Sequence, residues 1–232
     1  EEWLYSDPDT WRCSTDGPVT YNSIYNGEIY DARLEKTGWD SPGYDDSAWR
    51  VVTLPHDWSV EHPFDRSNAS GTGYLPGGTA WYRKHFELPE DVKGKRVRVT
   101  FGGVYKHARV YINSNHVGSN AYGYTTFTFD ISPFIRPGEN VISVRVEHDQ
   151  VADSRWFTGS GIYRDVTLEV SDMRCFADNG VFVTTKEVGN GQAIVNVKSE
   201  TLGCNGGTVL FDCSVNDFLE LVFTAGLIDL KN

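Results

Sequence analysis

Asp153, Arg155 and Trp156 place a carboxylate, a guanidinium and an indole almost side by side, just ahead of the Gly159-Ser160-Gly161 turn. Such a set suits sugar contact: a ring covers the apolar C–H face of a pyranose while fixed polar groups hydrogen-bond its hydroxyls. The same residues also have a structural reading, with Arg155 paired to a carboxylate and Trp156 packed on a sheet edge, and the two readings weigh evenly. His56, Asp57 and Trp58 form a second set in which structure is favoured. Pro55 fixes a turn, Asp57 can accept from backbone N–H groups, and Trp58 can fill a core. Tyr122 and Tyr124 flank Gly123 and offer a ring platform, although tyrosines alternating on a strand are more often partly buried packing. Gly77-Gly78 reads as a tight turn rather than a close approach to a ligand.

Other chemistries lack their residues. The adjacent carboxylates Asp45-Asp46 and Glu90-Asp91 point in divergent directions from a loop or strand, so they read as solvated surface charge and not as an acid/base pair. The 6 histidines have no Cys or carboxylate at ligand spacing, which argues against zinc. No glycine-rich phosphate loop follows a strand, so no cofactor is expected. A structural calcium would draw its ligands from loop carbonyls that a sequence does not reveal, and none is assigned. Cys13, Cys175, Cys204 and Cys213 allow three pairings; Cys213 shares the apolar phase of Val209, Phe211 and Val215 and reads as a buried thiol. With 21 Lys and Arg against 32 Asp and Glu, the net charge of −11 repels phosphate backbones and excludes nucleic acid as a partner. Apolar runs of a few residues fall far short of the roughly 18 a membrane helix needs, so no membrane partner is expected. Asn68-Ala69-Ser70 fits the glycosylation acceptor pattern, a match that chance supplies often.

The elements that must hold these loops are strands. Val97, Val99 and Phe101 alternate with Arg96, Arg98 and Thr100, the pattern of a strand with one face buried. Ala108, Val110 and Ile112 repeat it, and Asn113-Ser114-Asn115 supplies a hairpin turn before His116-Val117. Ile142, Val144 and Val146 predict another strand, as do Val166, Leu168 and Val170. Ile131–Ile135 is at most a short turn of helix. After Val170 the character shifts, and Gly180–Val188, Gln192–Glu200 and Gly207–Val215 read as strands of a second sandwich. Only about 60 residues remain for it, where a complete immunoglobulin-like sandwich takes about 100, so it reads as truncated. Its open edges predict an edge-strand dimer through this second domain.

The stretch Leu54-Pro55-His56-Asp57-Trp58-Ser59, followed by Gly73-Tyr74-Leu75-Pro76-Gly77-Gly78 and Trp81-Tyr82-Arg83-Lys84, is similar to the N-terminal sugar-binding domain of glycoside hydrolase family 2, nearest its β-galactosidase-like branch. Phe101-Gly102-Gly103-Val104-Tyr105, Gly123-Tyr124-Thr125 and the run Arg155–Arg164 continue the resemblance in order. Residues 1–44, through Ile24–Arg33 and Gly38-Trp39-Asp40, also resemble the N-terminal region of family 78 α-L-rhamnosidases. The resemblance implies an all-β fold: a galactose-binding-like jelly-roll β-sandwich over 1–170, a linker over 171–178, and a partial immunoglobulin-like β-sandwich over 179–232. It places the Asp153–Trp156 loop at the mouth of the parent enzyme's active site, and the catalytic glutamates on a C-terminal barrel. A barrel takes about 250 residues, and nothing after Val215 supplies one. The expected role is therefore non-catalytic carbohydrate recognition and scaffolding within a longer periplasmic or extracellular hydrolase of β-galactosides or related glycosides. The partners expected are a carbohydrate and the missing barrel, with Asp153, Arg155, Trp156, Asp57, Trp58 and Tyr122 as binding residues. A free-standing carbohydrate-binding module and a purely architectural domain are the alternatives.

Overall fold

The structure is a computed structural model of the 232-residue chain. It describes residues 2–4, 11–15, 38–68, 70–148, 156, 158–189, 192–203, 208–215 and 221–228. Two compact units divide it, Glu1–Val170 and Ser171–Asn232. The described residues contain strands and short 3-10 turns and no α-helix.

In the first unit the strands are β1 (Glu2–Leu4), β2 (Trp11–Thr15), β3 (Arg50–Val52), β4 (Gly78–Leu88), β5 (Lys95–Phe101), β6 (Ala108–Ile112), β7 (Asn115–Asn120), β8 (Phe127–Asp130), β9 (Gly138–His148) and β10 (Val166–Asp172). They build a six-stranded sheet in the order β3-β2-β4-β9-β6-β7 and a four-stranded sheet in the order β1-β10-β5-β8. Side chains of the two inner faces meet in one core, a β-sandwich. Val97, Val99 and Phe101 come from the smaller sheet, and Val110, Val144 and Val146 from the larger. Each such residue contributes roughly 1.5–3 kcal/mol by leaving water. The β6–β7 turn forms at the predicted place, with Asn113 and Ser114 at φ +50° and +70°, the left-handed pair that a two-residue hairpin turn requires. Ser132–Phe134 is a single 3-10 turn.

The six-stranded sheet departs from the expectation of one wet face. In β4 every residue from Thr79 to Lys84 is buried, and in β9 every residue from Asn140 to His148. Over Trp81, Arg83 and Ser143 the cover is the strap 38–49. Trp39 stands edge-on to Trp81 and to Trp49, at centroid distances of 5.9 and 5.5 Å. Under it lies Arg83, fully enclosed. Its Nε donates to Asp46 Oδ2 at 2.9 Å, Nη1 to Ser143 Oγ at 3.1 Å and to the Trp39 carbonyl, and Nη2 to the Ser41 carbonyl at 3.0 Å. Asp46 is therefore not solvated surface charge. It is a buried carboxylate shared by Arg83, Arg12 at 3.6 Å and His85 at 3.2 Å. Asp45, Glu90 and Asp91 are exposed, as expected.

The second unit carries two antiparallel hairpins: β11 (Cys175–Gly189) with β12 (Gln192–Leu202), and β13 (Thr208–Val215) with β14 (Leu221–Ile228). Ser171 and Asp172 complete β10 and Cys175 opens β11, so the stretch 171–178 carries strand at both ends. Cys175 is buried; Cys204 lies outside the described residues.

Candidate functional site

Three loops converge where β4 begins and β9 ends. The first follows β3. His56 N–H donates to the Ile162 carbonyl at 2.8 Å and Trp58 N–H to the Ser160 carbonyl at 2.9 Å, which ties residues 56–58 to residues 160–162. Asp57 Oδ1 accepts the Ser59 N–H at 2.9 Å, the short side chain closing a turn on its own backbone. Burial raises the Asp57 pKa, opposed by backbone N–H groups of Ser59, Ser160 and Val60. Trp58 is buried in the core. This pair therefore shapes the loop from within.

His56 is the second fixed point. Arg50 Nη2 can only donate, so His56 Nε2, 3.0 Å away, accepts from it in the neutral ring, and Nδ1–H donates to Tyr82 Oη at 2.8 Å. Glu61 stands 3.3 Å from the same Nε2 and pairs with Arg50 at 2.5 Å. Burial, the largest influence, lowers the His56 pKa, and Glu61 pulls the other way.

Ser160 is the third. His148 Nδ1 lies 2.5 Å from Ser160 Oγ, Ser160 Oγ contacts Ser59 Oγ, and Ser59 Oγ donates to the Pro76 carbonyl at 2.5 Å. Ser59 Oγ thus stands within donating reach of both the Pro76 carbonyl and Ser160 Oγ, and Ser160 Oγ bridges it to His148. A serine beside a histidine otherwise suggests a nucleophile and its base. Here both side chains are buried and their contacts join the end of β9 to the two loops. The separation of these residues in sequence hid this node.

From it a line of rings runs outward. Tyr105 meets His148 edge-on at 5.1 Å, Tyr124 meets Tyr105 at 5.5 Å, and Tyr122 meets Tyr124 at 5.8 Å. Tyr163 Oη donates to the Gly123 carbonyl at 2.6 Å and fixes the turn between the last two rings. Tyr122 ends the line 61% exposed, and Trp156 is 56% exposed. Of the six residues nominated from sequence, Tyr122 and Trp156 thus present rings to solvent, Asp57 and Trp58 lie inside the loop base, and Asp153 and Arg155 fall outside the described residues. Among the described residues no cluster of His, Cys, Asp or Glu has a metal-binding arrangement. Asn68 of the acceptor pattern spends its amide Nδ2 on the Tyr74 carbonyl at 3.1 Å.

The family model for "Glycosyl hydrolases family 2, sugar binding domain" matches residues 35–171. A β-galactosidase of Bacteroides ovatus is 43% identical over 159 residues, which are 67% of this chain and 19% of that protein. A putative β-glucuronidase of Formosa agariphila is 35% identical over 175 residues, 72% of this chain and 17% of its own length. The chain therefore spans about a fifth of the length of these curated relatives. Among solved structures, a glycosyl hydrolase family 2 member from Bacteroides cellulosilyticus superposes with a TM-score of 0.74 at 34% identity, over 98% of this chain and 29% of that one. A β-glycosidase from Bacteroides vulgatus gives a TM-score of 0.76 at 28% identity, over 98% and 28%.

Proposed function

Because this chain belongs to glycoside hydrolase family 2 and carries its sugar-binding domain over residues 35–171, we propose that it is the carbohydrate-recognising, non-catalytic part of a longer hydrolase of β-galactosides or β-glucuronides. The observation that carries this reading is the ring line ending at Tyr122, with Trp156 also exposed, on loops locked together by Ser59, His148 and Ser160. Rings held on a rigid base bind a pyranose face without a large ordering cost. Asp153 and Arg155, which lie outside the described residues, are the sequence's candidates for hydroxyl contacts, while Asp57 and Trp58 support the loop base. The bond-breaking carboxylates reside on a barrel elsewhere in the parent protein. The second unit offers a further partner surface: β11 and β12 pair only with each other among the described residues, which leaves an open edge on each for a second copy.

Titration calorimetry of the chain with lactose, and with methyl β-glucuronide, tests the reading. Saturable heat with at least one of them, reduced at least tenfold in affinity by Trp156→Ala, is the expected result. Heat with neither sugar overturns recognition by this chain, and hydrolysis of nitrophenyl β-galactoside above a buffer blank overturns the non-catalytic assignment.

A further inference from the structure

The segment leading into β4 is tightly pinned yet displays its rings. Asp65 N–H and Asn68 Nδ2 both donate to the Tyr74 carbonyl, at 3.0 and 3.1 Å, and Thr72 Oγ1 donates to the Leu75 carbonyl at 2.8 Å. Ser59 anchors the far end at the Pro76 carbonyl. On this fixed backbone Phe64 is 77% exposed and Tyr74 45%. Tyr74 also holds φ at +63°, a left-handed conformation that costs a bulky residue about 1 kcal/mol or more. The two bonds to its carbonyl hold it there.

The rings border an open concavity of about 650 Å³ lined by Phe64, Asp65, Arg66 and Tyr74, a size within the roughly 300–1,000 Å³ of small-molecule sites. Its polar groups are only half used. Asp65 Oδ1 accepts the N–H and the hydroxyl of Ser67, both at 2.8 Å, whereas Oδ2 has no partner among the described residues. Arg66 has no hydrogen-bond or ion-pair partner among them either. One free acceptor and one free set of donors, flanked by two rings, match vicinal hydroxyls on a ring whose other face is C–H.

We propose that this concavity is a binding subsite for a neutral hexopyranose. Phe64 and Tyr74 cover its apolar face, Asp65 Oδ2 accepts from one hydroxyl, and Arg66 donates to its neighbour. The Asp65 and Arg66 charges cancel, and the chain's net charge of −11 disfavours an anionic sugar. The inference rests on the carbohydrate reading above and deepens it, because the subsite uses none of the residues of the Tyr122–Trp156 rim.

The test is a backbone amide NMR titration of the full chain with lactose, cellotetraose and glucuronic acid. Expected are saturable shifts at residues 64–68 and 73–75 with a neutral sugar, lost in Phe64→Ala and weakened at least fivefold in Arg66→Gln, but retained in Trp156→Ala. Phe64 is exposed, so its truncation leaves the fold intact. Absence of shifts at these amides with ~20 mM neutral sugar, shifts unchanged in Phe64→Ala, or preference for glucuronic acid would each overturn the subsite. If shifts at 121–124 and 156 persist in that case, the broader carbohydrate reading stands without it; if they too are absent, both fall.

Discussion

Gly161 shows how narrowly single residues set this loop end. Its φ is +130°, and a β-carbon there would lie 2.7 Å from the His56 carbonyl oxygen and collide with Tyr82 Oη. Gly161→Ala is therefore expected to lower the urea unfolding free energy by more than ~1 kcal/mol; a midpoint equal to that of the parent would refute the close approach. His56 gives a pH-dependent counterpart. Its buried ring takes up a proton less readily than the unfolded chain, whose histidine titrates near the ordinary 6.5. Between the lowered folded pKa and 6.5 the unfolded state holds more protons, so stability is full above 6.5 and falls as pH drops through that window. Asp57 acts with the opposite sign and at lower pH, because its raised pKa lets the folded state keep a proton longer. The urea midpoint should drop from about pH 7 to pH 5.5 more steeply in the parent than in His56→Asn, and equal slopes would remove His56 as the cause. The sequence announced some of this chemistry and concealed the rest. An Asp followed two residues later by a backbone N–H it can reach is a local device, so the Asp57 turn and buried Trp58 were readable. His148 and Ser160 meet only because β9 and the later loop fold together, and no spacing rule links them.

At the scale of elements, the strap 38–49 and the sheet it covers depend on Arg83. Its guanidinium satisfies Asp46, Ser143 and two strap carbonyls at once, a fork geometry that a lysine does not reproduce. Arg83→Met leaves the Asp46 carboxylate buried with Arg12 at 3.6 Å and His85 at 3.2 Å as its remaining ion-pair contacts among the described residues. Breaking such a pair from one side costs about 3–5 kcal/mol. The double variant Arg83→Met, Asp46→Asn removes the stranded charge and should be more stable than Arg83→Met alone. A single variant within ~1 kcal/mol of the parent in urea denaturation, or a double variant no better than the single, would show that the pair carries little. The same sheet marks the limit of pattern reading. Ile142, Val144 and Val146 alternate with Ser143, Arg145 and Glu147, so strand β9 was legible from its period. Alternation says which residues share a face, but not that the polar face is wet. Arg145 and Glu147 pair at 2.6 Å beneath cover instead. Over Ser143 the cover is a loop whose aromatic residues have no strand period.

For the whole molecule, the two units are built differently in their described residues. The first closes two sheets over one core. In the second, the β11–β12 hairpin leaves Phe182, Val188 and Ile194 exposed at 63, 75 and 54%, on two strands that pair in a sheet only with each other among the described residues. Exposed apolar side chains next to an open edge favour edge pairing between copies. Opposing this is the net charge of −11, which drives copies apart over a Debye length of about 30 Å at 0.01 M salt and about 8 Å at 0.15 M. Edge pairing acts at contact distance and is screened far less. Association of the full chain should therefore strengthen as salt rises, the reverse of an association held by opposite charges. Sedimentation velocity at up to ~100 μM protein checks this. The parent should form dimers at the higher salt, and Val188→Lys with Ile194→Lys should remain monomeric at both. A parent that is monomeric throughout, or whose association weakens with salt, would mean that the hairpin edges are not self-complementary and that the exposed side chains face a different partner.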